Sequence, residues 1–430
     1  MDFLNLPDAP RIKLRDMSAP ACLLGRSGDI VRIDLTIDRA TGRIAPPEAP
    51  VDAVVEMRGA MALPCFTDAH THIDKGHIWG RAPNPDGTFM GALITVGDDR
   101  SAHWSAEDLR ARADFSLRCA LAHGTRALRT HLDSVPPQCD ISWPVFRDLR
   151  ADWAGRIDLQ ACSLFAIDFV DPAGDGGRPF QDLAKTVAQS AGVLGAVTYP
   201  VEHLAARLDI FLGAATRLGL NADFHVDETM DPSSRTLAEI ARAVLRTGFE
   251  GRVTAGHCCS LSTQPPDEAL ACLDLVAKAG IAVISLPMCN MYLQDRHAGR
   301  TPRGRGVTLV HEMAARDIPV AFASDNTRDP FYAYGDLDML EVMREAVRIA
   351  HLDHGADDWP LAFITTPADI CGFAPPSLAP GAPADLVLLR ARDWNEALSR
   401  PQSDRIVLRA GRAIERTLPD YAELDGILGA

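Results

Sequence analysis

The sequence predicts an α/β fold, a TIM (β/α)8 barrel with a small β-sandwich domain that both chain ends form. Short apolar runs alternate with longer segments of helical periodicity across the middle of the chain. Continuous apolar strands separated by helices indicate a parallel sheet covered on both faces, and eight such units are typical of this barrel. The apolar runs are 63–67, 125–130, 157–166, 193–199, 222–226, 252–256, 281–286 and 319–324.

The segments at the two chain ends have a different pattern. Residues 1–62 contain short β-type stretches broken by prolines, and residues 373–430 return to strand–turn patterns. We expect these two segments to pair as the small β domain, and residues 63–372 to form the barrel. An open doubly wound sheet is the alternative for the middle region, but the Gly-x-Gly-x-x-Gly pattern of dinucleotide folds is absent after the first strand.

Composition and charge limit the partners that this chain can have. Of its 430 residues, 47% are hydrophobic and 23% are charged, and the net charge is −15. This acidic balance argues against nucleic acid or an anionic membrane as the main partner. We expect no signal peptide and no membrane span, because the N-terminus lacks a basic and then apolar region and no apolar run is long enough. The cysteine pattern fits a cytoplasmic protein, and a homo-oligomer remains open.

Polar side chains follow five of the predicted strands. His70 and His72 come directly after the first run, and both point the same way because side chains on a strand alternate. In a TIM barrel the chemistry lies at the carboxyl ends of the strands, so that side chains following different strands meet at one face. The other residues in such positions are His131, Asp133, His225, Asp227, Glu228, His257 and Asp325.

Four of these residues form a candidate metal site. His70, His72 and His225 supply neutral nitrogens and Asp325 supplies an oxygen, a set that suits one Zn²⁺ or Fe²⁺ ion and leaves a position for water. The ion would lower the pKa of that water towards neutrality. Each residue also has an ordinary interpretation, as a hydrogen-bonded buried histidine or a helix-capping aspartate, but the joint pattern favours the metal site.

Two further residues are candidates for acid–base chemistry. Glu228 follows His225 closely, where it can carry a proton between the water and a substrate nitrogen. His257 is interpreted as a group that polarises the substrate, and Asp325 can also accept the proton of the water. The structural alternatives are an acid at the start of a helix for Glu228 and a core histidine for His257.

The order of these motifs resembles that of the amidohydrolase superfamily, and within it the cytosine deaminases and their relatives. The resemblance implies a mononuclear site, because binuclear members carry a carboxylated lysine at the end of strand four and residues 195–200 contain no lysine. Lys75 lies on a different strand and is interpreted either as a pocket-rim lysine or as a structural one. The matching segments are Asp-Ala-His-Thr-His-Ile-Asp at 68–74, Arg-Thr-His-Leu-Asp at 129–133, His-Val-Asp-Glu at 225–228, Gly-His at 256–257 and Ser-Asp-Asn at 324–326.

The resemblance also implies that the substrate pocket differs from a cytosine site. Cytosine deaminases carry a glutamine at the end of strand three, where this chain has Ala166, and Asp168 is a candidate replacement. They have an aspartate in place of Asn326 and a lid tryptophan in place of Phe331. A site built to hydrogen-bond a ring edge depends on such groups, so we expect the pocket to accept another cyclic amidine or a substituted heterocycle.

We therefore predict a metal-dependent hydrolytic deaminase that acts on a cytosine-like or related amino-substituted nitrogen heterocycle and releases ammonia. Hydroxide adds to the carbon that bears the exocyclic amine, Glu228 protonates the ring nitrogen, and His257 stabilises the developing oxyanion. A cyclic amide hydrolase and an N-alkylamine-releasing enzyme of the same superfamily are alternatives with different products. A catalytically inactive ligand-binding barrel is a third, against which the retention of every ligand and of Glu228 argues.

Overall fold

The computed structural model describes residues 5–429, which divide into two compact units. The first contains the described residues up to Thr67, together with Arg118–Ala127 and Leu337–Pro419. The second contains Asp68–Leu117, Leu128–Asp336 and the described residues from Asp420 onwards. The domain boundaries expected from the sequence, after residue 62 and before residue 373, stay a prediction.

Strands and helices alternate through most of the described residues. The strands are β1 (Arg11–Pro20), β2 (Ile30–Asp38), β3 (Arg43–Ala45), β4 (Ala53–Glu56), β5 (Met61–Pro64), β6 (Phe66–Thr71), β7 (Thr125–Asp133), β8 (Asp158–Leu164), β9 (Leu194–Thr198), β10 (Ala222–Val226), β11 (Val253–His257), β12 (Ala282–Ser285), β13 (Val320–Phe322), β14 (Leu386–Leu389), β15 (Ile406–Arg409) and β16 (Arg412–Ala413). The α-helices are α1 (Phe89–His103), α2 (Ala106–His123), α3 (Cys139–Asp152), α4 (Arg178–Gln189), α5 (Leu204–Leu218), α6 (Thr236–Thr247), α7 (Pro266–Ala279), α8 (Pro287–Leu293), α9 (Val310–Ala314), α10 (Met339–Ala350), α11 (Leu361–Ile364), α12 (Thr366–Cys371), α13 (Trp394–Ser399) and α14 (Asp425–Leu428). Among the described residues, none of these helices combines the length and the apolar character that crossing a bilayer requires.

One eight-stranded sheet lies in the first unit, in the order β16-β15-β14-β5-β1-β2-β3, with β4 also paired to β1. β14 pairs antiparallel with β5, so that Leu386 lies opposite Pro64 and strands from both ends of the chain share the sheet. Ile12 and Leu14 alternate along β1 and pack with Leu388 in the apolar core of this unit. The predicted β-sandwich is not confirmed, because hydrogen bonds join these strands into one sheet.

Eight strands, β6 to β13, form a TIM barrel. Hydrogen bonds join them in two groups, β6-β7-β8 and β9-β10-β11-β12-β13. A parallel bridge between Ala166 and Val197 links the two groups, and a parallel bridge between Thr71 and Asp325 closes the ring. The barrel predicted from the eight apolar runs is confirmed, and the doubly wound alternative is wrong.

The first barrel strand differs from the predicted one. The run at 63–67 predicts a strand that ends at Thr67, but β5 takes its first two residues and β6 continues to Thr71. His70 and Thr71 extend the strand although they are polar, because their side chains are fully buried inside the barrel unit. Thr71 Oγ1 donates a hydrogen bond to the carbonyl oxygen of Arg129 at 2.9 Å. Polarity alone is therefore a poor guide to where this strand ends.

A buried polar network lies among the barrel strands. Asp223 on β10 accepts a hydrogen bond from Arg129 Nη1 at 3.0 Å, and its Oδ1 lies 2.9 Å from His131 Nε2. Burial alone would raise the pKa of Asp223, but His131 and Arg129 lower it to about 2. Arg129 also donates to Oε1 of Gln160 at 2.7 Å. These bonds satisfy polar groups that would otherwise be costly to bury, which explains why the strands are not purely apolar.

A Gly195→Ala substitution is expected to destabilise the barrel. A Cβ atom at this position of β9 would lie 2.4 Å from the carbonyl oxygen of Ser163 on β8, so that one strand has to shift. We expect the free energy of unfolding to fall by about 1–3 kcal/mol, the usual cost of overpacking.

Gly213 on α5 is the matched control for this change. A Cβ atom there would meet only Arg217 Nη1, at the ordinary distance of 3.5 Å. Gly213→Ala should stabilise the helix by about 0.5–1 kcal/mol. Urea unfolding of both variants measures the two effects, and a Gly195→Ala variant as stable as the parent would contradict the strand packing described above.

Candidate active site

The residues predicted at the strand ends lie on different elements of the barrel. His70 lies on β6 and His72 just beyond it, His225 lies on β10, His257 ends β11, and Asp325 follows β13. All five side chains are nearly or fully buried.

His257 and Asp325 have φ angles of 68° and 65°, the left-handed region that is uncommon for residues other than glycine. Such backbone strain persists only where the surrounding structure fixes it, and it clusters at functional sites.

Three imidazoles and one carboxylate converge at this face. The Nε2 atom of His225 lies 3.1 Å from Nε2 of His70 and 3.2 Å from Nε2 of His72. Oδ1 of Asp325 lies 3.3 Å from Nε2 of His72 and 3.6 Å from Nε2 of His70. The structure thus brings together the four groups that the sequence analysis selects as metal ligands.

The chemistry of these four groups fits a divalent cation. Burial, together with the neighbouring imidazoles, holds the pKa values of His70 and His225 well below the usual range, so that both rings are neutral and can offer lone pairs. Burial raises the pKa of Asp325 to about 8, although a hydrogen bond from the weakly donating Cys289 thiol opposes this rise. A buried carboxylate without a positively charged partner is costly, and a divalent ion would supply the compensating charge.

His131 lies beside this cluster but has different partners. Its ring centroid is 4.0 Å from that of His70, and its Nε2 atom lies 2.9 Å from Oδ1 of Asp223. Its Nδ1 atom lies 3.4 Å from the carbonyl oxygen of Thr71. Both ring nitrogens therefore face protein acceptors, and His131 supports His70 from the side instead of joining the four donors.

Glu228, His257 and Asn290 form a hydrogen-bonded group next to the four donors. Oε1 of Glu228 lies 3.4 Å from Nδ1 of His257, while Nδ2 of Asn290 lies 3.3 Å from Oε1 and 2.9 Å from Nδ1. Burial, with the nearby charge of Asp325, raises the pKa of Glu228 well above its usual range. Burial also lowers the pKa of His257 to about 3. A carboxyl group whose pKa is shifted towards the protonated form thus lies beside a neutral imidazole, an arrangement suited to acid–base chemistry.

Asp227, which directly precedes Glu228, has a structural role. Its carboxylate accepts hydrogen bonds from the backbone nitrogens of Thr236 and Leu237, both at 3.1 Å, where α6 begins. It also accepts a bond from Ser234 Oγ at 2.6 Å. The helix-start interpretation considered for Glu228 therefore applies to Asp227, which leaves the Glu228 side chain to face the cavity.

A cavity of about 410 Å³ opens at these groups, an ordinary size for a small-molecule site. Lys75, Ala166, Asn326 and Phe331, all selected from the sequence, line it together with His72, His225, Glu228 and His257. Asp168 is not part of its lining: it is exposed and makes a side-chain hydrogen bond with Tyr199, which lies at the cavity wall. The substrate-binding roles of all these residues stay predictions.

Lys75 combines the two interpretations that the sequence leaves open. The residue lines the cavity, and its Nζ atom lies 2.8 Å from Oδ1 of Asp133, whose Oδ2 accepts a hydrogen bond from Arg100 Nη1 at 2.6 Å. Burial opposes a charge on Lys75, but Asp133 and Asp74 together raise its pKa, so the ammonium group persists. The side chain is therefore both ion-paired and available to a bound molecule through its remaining donors.

Helix α1 supplies a wall of the cavity that the sequence analysis missed. Phe89, Leu93, Val96 and Arg100 recur at helical spacing and line the cavity from one face of the helix. The ring of Phe89 packs edge-to-face against Phe331, with 5.5 Å between centroids. The helical spacing of these residues in the sequence could have identified one face of this helix, but not its place at the cavity.

Asn326 and Phe331 are held by a shared buried carboxylate. Asn326 Nδ2 donates to Oδ2 of Asp329 at 2.7 Å, and the backbone nitrogen of Phe331 donates to Oδ1 at 2.8 Å. Asp329 is fully buried, and burial raises its pKa to about 6. This carboxylate orders the loop after Asp325 and fixes the place of Phe331 at the cavity.

Residues 108–414 match the amidohydrolase family, and the chain belongs to that family. A pterin deaminase from Rhizobium rhizogenes (strain K84) is 54% identical over 441 residues, and the similarity covers 100% of this chain and 99% of that protein. An N-isopropylammelide isopropyl amidohydrolase from Pseudomonas sp. (strain ADP) is 21% identical over 74% of this chain and 76% of its own length.

Two solved structures illustrate the shared fold. The 5-methylcytosine deaminase from Klebsiella pneumoniae, liganded with 5-fluorocytosine, superposes with a TM-score of 0.78 and 26% identity over 95% of this chain and 98% of its own. The N-isopropylammelide isopropylaminohydrolase from Burkholderia multivorans has a TM-score of 0.71 and 25% identity, over 94% and 97% of the two chains. The predicted amidohydrolase family is confirmed, and so is the prediction of a hydrolytic deaminase that acts on C–N bonds.

Proposed function

We propose that this enzyme hydrolyses the exocyclic amine of a pterin, a fused 2-amino-4-oxopteridine ring, and releases ammonia. The single observation that carries the proposal is the 54% identity, over the full length of the chain, to a pterin deaminase. Water adds its oxygen to the carbon that bears the amine, the C–N bond breaks, and the ring keeps a carbonyl in place of the amine. A pterin is one of the amino-substituted nitrogen heterocycles that the sequence analysis allows, and it is not cytosine-like in the narrow sense.

We propose one divalent ion, Zn²⁺ or Fe²⁺, held by His70, His72, His225 and Asp325. The donor set of three nitrogens and one oxygen suits either metal. When bound, such an ion lowers the pKa of a water molecule towards neutrality and so supplies a nucleophile at working pH. The neutral imidazoles and the uncompensated carboxylate described above support this assignment.

Glu228 is assigned the proton transfer in this reaction. Because its pKa is raised by burial, its carboxyl group can hold a proton and deliver it from Oε2 or Oε1 to the ring nitrogen next to the reacting carbon. His257 is assigned the stabilisation of the oxygen that adds to this carbon. Its Nε2 atom is buried and has no hydrogen-bond partner among residues 5–429, so it is available to a bound substrate.

The walls of the cavity fit a flat bicyclic ring. Phe89, Leu93 and Phe331 offer apolar and aromatic surface on which such a ring can pack. Ala166 has a small side chain where cytosine deaminases carry a glutamine, and this leaves room for a second ring. Lys75 is assigned the ring carbonyl, because its ammonium group lies at the cavity with donors to spare.

The test is an assay of ammonia release by the metal-loaded enzyme over a panel of heterocycles. We expect stoichiometric ammonia and a 2,4-dioxopteridine product from pterin, with a kcat/KM at least about tenfold above that for cytosine or 5-methylcytosine. No ammonia from pterin at full metal content would overturn the proposal. Including N-isopropylammelide and a cyclic amide separates the remaining alternatives, because an alkylamine product indicates amine displacement and a ring-opened acid indicates amide cleavage.

We also propose a cytoplasmic location. The ten cysteines follow no regular secreted framework in their spacing, and eight of them are buried. This usage is typical of a reducing compartment. Fractionation of cells with an antibody to the protein tests it.

A further inference from the structure

We propose that Asn290 is a positioning residue that fixes both the tautomer of His257 and the orientation of the Glu228 carboxylate. The inference rests on the proposed function in that it assigns these two side chains to the deamination. Asn290 lies on α8, after β12, which is one of the three barrel strands whose ends carry no histidine or carboxylate. No role in the chemistry was expected for it.

The amide of Asn290 bridges the two groups. The residue is 1% exposed, and its Nδ2 atom lies 2.9 Å from Nδ1 of His257 and 3.3 Å from Oε1 of Glu228. An amide nitrogen carries two hydrogens and can therefore donate to both acceptors at once. When Oε1 is an unprotonated oxygen of the Glu228 carboxyl group, the opposite amide orientation would place Oδ1 against another acceptor, so the bridging orientation satisfies the site best.

This bond decides where the proton of the imidazole lies. If Nδ1 of His257 accepts from Asn290, the ring hydrogen of the neutral tautomer is on Nε2. Nε2 is the buried atom without a hydrogen-bond partner among the described residues, and His257 lines the cavity. The N–H group of Nε2, and not a lone pair, then faces the oxygen that becomes negative during the reaction. A hydrogen-bond donor in this place is required to stabilise that charge.

Helix α8 also holds the backbone of Glu228. Gln294, one turn beyond Asn290, donates from Nε2 to the carbonyl oxygen of Glu228 at 3.1 Å, and its backbone nitrogen donates to the carbonyl oxygen of Asn290 at 2.8 Å. A Cβ atom at Gly306 would lie 2.4 Å from Cβ of Gln294, so the chain passes close against this end of the helix. The acid and the imidazole are thus placed by one short, tightly packed element.

Two variants test the proposal, Asn290→Ala and Asn290→Asp, in the full-length, zinc-loaded enzyme. Alanine removes the hydrogen-bond donor, so that both tautomers of His257 become accessible. The kcat for pterin should then fall about 10- to 100-fold, while KM should change less than about threefold. Aspartate keeps the shape but offers only acceptors, which draws the proton to Nδ1, and kcat should fall further. Metal content should stay at the parental level in both. Asn395, an exposed asparagine on α13, is the control, and its alanine and aspartate variants should behave as the parent does.

The imidazole ¹⁵N chemical shifts report the tautomer of His257 directly. They should not change if Asn290 has only a structural role. In the parent, the His257 resonances, assigned by their loss in a His257 variant, should show hydrogen on Nε2, and in Asn290→Asp they should show hydrogen on Nδ1. Hydrogen on Nδ1 in the parent, or an unchanged kcat and tautomer in both variants, would overturn the inference. If the parent releases no ammonia from pterin, the proposed function fails, while the spectrum still decides the role of Asn290.

Discussion

Replacing Glu228 with glutamine is expected to lower kcat for pterin by about 10²- to 10⁴-fold, the usual contribution of a positioned acid–base group. The amide has the shape of the carboxyl group and can keep an oxygen acceptor for Nδ2 of Asn290. It cannot exchange a proton with the ring nitrogen. Because Glu228 is not among the four donors, the metal content should remain that of the parent. Steady-state kinetics measure kcat, and elemental analysis measures the metal content.

The same substitution should leave the stability of the protein intact or raise it. Burial and the charge of Asp325 raise the pKa of Glu228 well above its usual range, which means that the ionised form is unfavourable in this site. A neutral amide removes that cost. Glu250, an exposed residue in the turn after α6, is the matched control, and Glu250→Gln should change neither kcat nor the melting temperature. A Glu228→Gln enzyme with a near-parental kcat would show that another group moves the proton.

Replacing His72 with alanine is expected to abolish stable metal binding. The Nε2 atom of His72 lies 3.2 Å from Nε2 of His225 and 3.3 Å from Oδ1 of Asp325, so its removal takes one of four donors out of the cluster. Mutation of groups that only orient metal ligands costs about 10- to 100-fold in affinity, and loss of a ligand itself should cost more than that. Deamination should fall in parallel, because the four donors act as one site.

Metal content after dialysis against a weak chelator measures this effect. His103, an exposed histidine at the end of α1, is the control, and His103→Ala should retain the full complement of metal. Metal should also raise the melting temperature of the parent but not that of His72→Ala, since a ligand stabilises only the state that binds it. Full metal occupancy in His72→Ala would show that this residue is not a ligand.

The barrel could be predicted because its strands are buried on both faces. A strand packed between helices on one side and the barrel interior on the other must be apolar nearly throughout, and eight such runs were therefore visible in the sequence. The exception is informative. The end of β6 is polar because His70 and Thr71 lie within it, so a residue selected as a metal ligand also obscures the strand boundary in the sequence.

The convergence of the four donors and Glu228 could be predicted because the barrel topology collects strand ends at one face. Residues that come directly after the strands can be placed together at this face without knowing the conformation of the loops. His257 follows the same rule. Asp227 shows its limit, because two adjacent acids follow β10 and only the structure shows that one caps α6 while the other faces the cavity.

The remaining parts of the site depend on how loops and helices return to the barrel. Asn290 lies on a short helix beyond β12, and α1 approaches the cavity after a loop of irregular structure, so sequence spacing alone does not place either of them. Asp168 illustrates the same problem in reverse. It lies close in sequence to Ala166, yet its side chain is exposed beside Tyr199, because a short turn after β8 carries it away from the cavity.

The most direct test of the central claim is an anomalous-difference map from crystals of the metal-loaded enzyme, recorded at the absorption edge of the bound metal. The account predicts one peak per chain, within about 2.0–2.2 Å of Nε2 of His70, His72 and His225 and of a carboxylate oxygen of Asp325. A peak that avoids these atoms, a second peak of equal height beside it, or no peak in an enzyme that turns over would contradict it.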